Sequence, residues 1–436
     1  MRIRIDNGTV IDPSQNLNDK RTVFISDGKI IAVLESDNLS QSPFKSEEAD
    51  YVHDASGQLI CPGFMDMHVH FRDPGETYKE TIETGCKAAA YGGFTDVCCM
   101  PDTRPVNDLP EITRYIIEKA HSCKGTYVHP IAAISPGCAG KALTEMGLLL
   151  QAGACAFSDD CYPISDPQLM RRAMEYARSF DALIISHCEE LRLSGGVMNE
   201  GTVSTQMGLS GIPKAAETIM VMRDIALSEL TGARLHIAHV TTEQSVEAIR
   251  RAKEKGLPVS AETAPQYFSL TDSAVLEYDT NSKMNPPLRT ESDRDAIRKG
   301  LADGTIDVIA TNHEPQTDLE KNIEFDRAAS GVIGLETSIP ISLQLVHEGI
   351  LTATQLVEKM SVNPNTILKM SPKKIATNYP ADLTIIDPQI DHIISKTMFH
   401  SKSKNTPFEG WHCRGKAALT VVCGKIVNQK IEKVRK

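Results

Sequence analysis

The chain predicts an α/β protein: a (β/α)8 TIM-type barrel carrying a small composite β domain built from its two ends. Three observations predict this. Eight short apolar runs alternate with stretches of helical period, the two termini share a strand, Gly turn, strand pattern, and several histidines fall just where apolar runs end.

The runs, in order, are LICPGFMDMHVH, FTDVCCM, VHPIAAI, ACAFSDD, ALIISHC, RLHIAHV, PVSAETA and DVIATNH. Between them lie segments with apolar residues at i, i+3, i+4 and i+7. DPQLMRRAMEYARSF opens on an Asp able to cap a helix, and TTEQSVEAIRRAKEKG closes on Gly256. A barrel of such units places its chemistry where strands end and βα loops begin. An open doubly wound sheet is the competing arrangement, but no GxGxxG follows the first run.

At the ends, VFISDGKIIAVL and LTVVCGKIV each read as two strands around a tight turn, with ADLTIID as a further strand. Residues 1–57 and 371–436 are therefore expected to form one small β domain, with the barrel over 58–370. SDNLSQSPFKSEEAD is polar and reads as a surface loop.

Composition narrows the function classes. A net charge of -11 without a long basic run argues against nucleic acid and anionic membranes as partners. No apolar run reaches the length of a membrane span, and MRIRIDNGTVIDP lacks a signal-peptide core, so the expected location is cytoplasmic. The 11 cysteines follow no repeated CxxC spacing and suit small buried thiols.

The histidines suggest a metal centre. His68 and His70, two apart at the end of the first run, share a face; His187 ends the fifth run and His239 the sixth. Asp160 ends the fourth and offers oxygen, with Asp159 an alternative that spacing does not separate. Imidazole with carboxylate suits Zn2+, which brings the pKa of bound water to about 7. His236, three before His239, is expected on the opposite face, as packing or as a supporting partner. Cys161 and Cys188 lie beside these ligands but suit a softer metal.

PGFMDMHVHFRDPGETYKETIETGCKAAAYGGFTDVCCMPDTRPV, AFSDDC, HCEE, KMNPPLR, GLETSIP and KNTPFEGW together resemble the type I bacterial dihydroorotases of the amidohydrolase superfamily. The resemblance implies one or two Zn2+ per subunit and reversible cyclisation of N-carbamoyl-L-aspartate to L-dihydroorotate in pyrimidine biosynthesis. It also implies self-association into a homo-oligomer or docking to aspartate carbamoyltransferase. His68, His70, Asp160, His187 and His239 match the family's zinc ligands. Arg72 matches the arginine that grips the substrate carboxylate, a role suited to a guanidinium fork. Asn285 matches another substrate contact, and Ser330 and Gly331 match backbone contacts.

Several positions depart from that pattern. The family's T-D-H-A-P-H stands here as Thr311, Asn312, His313, Glu314, Pro315 and Gln316, so the Asp that the resemblance makes both metal ligand and proton shuttle, and a substrate-binding His, are replaced by Asn312 and Gln316. M-P-N-T becomes Met100, Pro101, Asp102 and Thr103, and Gln266 and Tyr267 stand where two histidines are usual. An Asn amide does not titrate near neutral pH, so the proton step needs another group; Glu314 is the first candidate, ahead of His313 and Asp102. Residues 314–331 read as a loop over the mouth. Two other readings compete with a working dihydroorotase. One is a catalytically weak or silent homologue kept as a structural partner of aspartate carbamoyltransferase. The other is a different cyclic amide hydrolase, acting on hydantoins or allantoin, although ACAFSDD lacks the lysine those relatives carboxylate.

Overall fold

The computed structural model describes residues 1–123 and 125–429; the last residues assigned to the C-terminal β segment, 430–436, lie outside them. Eight strands form one all-parallel sheet: Phe64–Val69, Phe94–Cys99, Tyr127–Ala132, Ala156–Phe157, Leu183–Ser186, Arg234–Ile237, Val259–Thr263 and Val308–Ile309. They are called the first to eighth barrel strands below. His313 closes the ring between the eighth and the first. Its carbonyl accepts from His70 N at 2.9 Å and its N–H donates to His68 O at 3.3 Å, which excludes the open sheet.

Alternation along the short strands sorts side chains into two cores. In the fifth strand Leu183 and Ile185 join an interior cluster with Met67, Ile131, Ala238 and Val308, while Ile184 packs outward among helix residues. His187 continues the inward face of Leu183 and Ile185, so the same two-residue period that fills the barrel also delivers a ligand to its mouth. The expected helices form at Pro167–Ser179 and Glu243–Glu254. Asp166 caps the first by accepting from Gln168 N at 2.8 Å; Thr242 caps the second, and Gly256 follows it at φ 73°.

The expected first strand is broken in two. Leu59–Pro62 pairs with the N-terminal strand Arg2–Asp12 and with the C-terminal strand Leu383–Ile393, and only after Gly63 does the chain enter the barrel. A continuous apolar run hides this change of sheet, because both halves are buried. The outer sheet draws strands from both ends of the chain. Its hairpins turn at Asp27–Gly28 (φ 52° and 81°) and Cys423–Gly424 (φ 47° and 67°), positive at both central positions as type I′ requires. The two turns touch. Ala381 N donates to Gly28 O at 2.9 Å and Gly424 N to Ala381 O at 3.0 Å, and a Cβ on Gly424 would fall 2.7 Å from Gly28 Cα. Among the described residues no helix is long and apolar enough to cross a membrane.

Candidate active site

At the C-terminal mouth of the barrel four histidines surround one carboxylate. Asp160 Oδ2 faces His68 Nε2 at 3.2 Å and His70 Nε2 at 3.4 Å; Oδ1 faces His187 Nδ1 at 3.4 Å and His239 Nε2 at 3.6 Å. All five side chains are buried. His239 follows its strand on a left-handed backbone, φ 33°, which lets both it and His236 serve the interior. Glu217 holds that strained end by accepting from the N–H groups of Thr241 and Thr242 at 3.2 and 3.1 Å. Asp159 turns away, accepting from Ile134 N and Ser135 N at 2.7 and 3.0 Å, which settles the choice between the two aspartates in favour of Asp160 at the cluster.

Sequence spacing does not reveal how these rings are supported. Three of the four have a second carboxylate on their far nitrogen: Glu262 on His68 Nδ1 at 2.6 Å, Asp102 on His70 Nδ1 at 2.8 Å and Glu189 on His187 Nε2 at 3.0 Å. Each fixes a tautomer, leaving the nitrogen that faces Asp160 free to coordinate. His236 is the correction among the histidines. Expected on the opposite face from His239, it lies inside the barrel, with Nε2 3.2 Å from Glu262 Oε2 and Nδ1 2.8 Å from Ser260 Oγ, and so steadies the carboxylate that orients His68.

The donor set fits a divalent cation. His187 Nδ1 and His239 Nε2 stand 2.8 Å apart, and among the described residues Asp160 Oδ1 and His239 Nδ1 have no hydrogen-bond partner. The field around the rings calls for positive charge: burial opposes an imidazolium at His187, yet Asp160 and Glu189 outweigh it and push the ring up to about 10. A metal ion satisfies the same demand. Cys161 Sγ lies 3.5 Å from Asp160 Oδ2 at the cavity wall, while Cys188 turns to Ser186 Oγ at 3.4 Å, away from the rings.

A cavity of about 450 Å³ opens on the cluster. Asn285, Asn312, Gln316 and Ser330 line it, and so do Glu189 and Glu314. Asn285 Nδ2 donates to Glu189 Oε2 at 3.0 Å; Asn312, at φ 49°, directs Nδ2 to Tyr267 Oη at 3.4 Å. Gln316 Nε2 donates to Ser330 O at 2.7 Å, and its Oε1 has no partner among the described residues. His313 points elsewhere: Nε2 faces Glu80 Oε2 at 3.4 Å, and Nδ1 accepts from Gly334 N at 3.2 Å. Gln266 donates to Thr311 O at 3.3 Å behind the wall.

Arg72, on a left-handed backbone (φ 58°), is held between two carboxylates. Nη1 donates to Asp102 Oδ2 at 2.6 Å and Nη2 to Glu314 Oε1 at 2.9 Å. Burial alone would raise the Asp102 carboxyl, but His70 and Arg72 hold it at about 2. Residues 314–331 cover this side of the mouth and contain one short helix, Asp318–Lys321. Lys321 Nζ donates to the carbonyls of Lys283, Ala329 and Gly331, and Lys283 Nζ to those of Phe325 and Asp326, so the loop is pinned by two ammonium groups. Gly331 (φ 129°) has both backbone groups engaged, with N–H on Lys283 O, and a Cβ there would lie 2.7 Å from Glu314 O.

Residues 57–245 match the family model described as Dihydro-orotase-like. A dihydroorotase of Desulfotalea psychrophila is 52% identical over 98% of this chain and 99% of its own length. One from Syntrophus aciditrophicus is 48% identical over 99% of this chain and 100% of its own. Among solved structures, the L-hydantoinase (dihydropyrimidinase) of Arthrobacter aurescens superposes with a TM-score of 0.85, covering 99% of this chain and 97% of that one at 24% identity.

Proposed function

We infer that this chain, which belongs to the dihydroorotase family, is a metal-dependent cyclic amide hydrolase that interconverts N-carbamoyl-L-aspartate and L-dihydroorotate in the cytoplasm. One observation carries the reading. Asp160 sits between two pairs of imidazoles, and three of those imidazoles are oriented by carboxylates of their own, an arrangement that a purely structural histidine cluster does not require.

His68, His70, Asp160, His187 and His239 would hold Zn2+, one or two ions per subunit. Bound there, the metal supplies a Lewis acid for the ring carbonyl and an activated water. Asn285 and Asn312 line the cavity with side-chain amides, suited to orienting the ring amide, and Tyr267 Oη behind them holds the Asn312 amide. Arg72 is the cation for the ring carboxylate. Glu189 is occupied on one oxygen by both His187 Nε2 and Asn285 Nδ2, at 3.0 Å each, which suits it to orienting these groups. Asn312 carries no titratable proton, so the roughly 100- to 10,000-fold that a positioned acid-base group typically gives would have to come from another residue of the mouth. The pinned 314–331 loop excludes water from that side.

The test is dihydroorotate hydrolysis by purified, zinc-reconstituted protein with metal measured on the same sample. Turnover that rises with bound zinc and vanishes on chelation is expected. Full metal occupancy without turnover in either direction would sink the assignment.

A further inference from the structure

Glu314 lines the cavity beside the metal cluster, whereas Arg72, 7% exposed, does not. The guanidinium is spent on two carboxylates of unequal standing. Asp102 is tied in on both oxygens, Oδ2 to Arg72 and Oδ1 to His70 Nδ1. Glu314 has Arg72 as its cation, and its other side-chain donor is the neutral amide of Gln316 at 3.3 Å. Its backbone is fixed, N–H on Val332 O at 2.8 Å and carbonyl on Asn405 Nδ2 at 3.0 Å, so only the side chain is free to leave. Gly331 leaves room for it: a Cβ there would lie 3.0 Å from Glu314 Oε2.

One guanidinium between two carboxylates is already over-neutralised. A third carboxylate brought by a ligand would meet like charge at close range in a poorly solvated pocket, where such contacts cost most. We propose that Glu314 is an internal ligand occupying the anion position of Arg72, which a carboxylate-bearing ring must displace, making Glu314 the residue that sets preference between rings with and without a carboxylate. This rests on the reading of Arg72 as the cation for the substrate carboxylate.

Orotate and uracil, two planar rings differing by that carboxylate, are the probes, titrated calorimetrically into zinc-reconstituted protein. Glu314→Gln keeps the shape and removes the charge; it should tighten orotate about tenfold, the scale of one like-charge contact relieved, and leave uracil unchanged. Glu314→Ala should do the same, guarding against a local effect of the Gln amide, and adding Arg72→Gln should abolish the gain. If neither Glu314 variant tightens orotate while Arg72→Gln alone weakens it, the internal-ligand proposal is overturned and the role of Arg72 stands. If Arg72→Gln leaves orotate binding untouched in every background, the carboxylate-anchoring role fails and takes the proposal with it.

Discussion

The two halves of one barrel mouth have been treated differently. On the metal side His68, His70, Asp160, His187 and His239 gather at one point, and each ring but one has its own carboxylate support. On the carboxylate side the cavity is lined by Asn312, Glu314 and Gln316, and the arginine beside it is already paired with Asp102 and Glu314. A scaffold that orients four imidazoles is demanding to keep, since each depends on partners in other strands. Side chains at the rim change without disturbing the strands beneath. The two sets meet at Asp102, which holds His70 Nδ1 with one oxygen and Arg72 with the other, so a change at the rim reaches the metal cluster through that carboxylate.

The strongest way to break the comparison is to attack the shared centre. Asp160→Asn should remove both metal and activity, lowering kcat/KM about 1,000-fold or more, the several kcal/mol a Lewis acid supplies. Metal analysis alongside steady-state kinetics checks it, and retention of either property would dissolve the distinction between the halves. Asn312→Asp tests the other side. It should raise kcat by about 100-fold, the lower range of acid-base assistance, without loss of bound metal. No gain would mean that this chain already moves the proton by another route.

How much of the site the sequence carries follows from the geometry. His68, His70, His187 and His239 are legible because parallel strands deliver their last residues to one rim. Their supports are not. Glu262 lies 194 positions from His68, and in a strand buried on both faces nothing in the alternation marks an inward Glu as different from an outward one. Glu189 is visible in HCEE, but its contact with His187 depends on a loop path rather than a period. His236 is misplaced by spacing for a related reason: counting two residues per strand step assumes the strand runs on to His239, whereas it ends at Ile237 and the backbone turns left-handed. The run LICPGFMDMHVH reads as one strand across Gly63 because hydrophobicity reports burial and not which sheet does the burying.

Glu262 gives the next measurement. Glu262→Gln keeps a hydrogen-bond acceptor for His68 and loses the charge, so zinc affinity should fall about 10- to 100-fold while orotate binding to the fully loaded protein is preserved. Competition with a chromophoric chelator reads the first, calorimetry the second. Equal losses in both would couple the two halves more tightly than their residues suggest.

The opposite end of the barrel supplies the contrast of an ion cluster without catalytic duty. There Asp96 meets Lys373 and, at 2.9 Å, His129 Nε2. Burial would raise its carboxyl, but Lys373 and His129 outweigh that and bring it to about 2. A carboxyl depressed by folding stabilises above its unfolded pKa of about 4, and that contribution is lost as pH falls from about 4 to 2. From the shift it is worth about 2 kcal/mol. Asp96→Asn should therefore cost about that much at pH 7, with Lys373 left to its second partner Asp382 at 3.4 Å, and flatten the acid limb of the stability curve. Denaturant melts across pH 2–7 read both effects. With kcat unchanged at pH 7, the charges at the two ends of the barrel would divide by role, those at the base holding the fold and those at the mouth holding the metal and choosing the ligand.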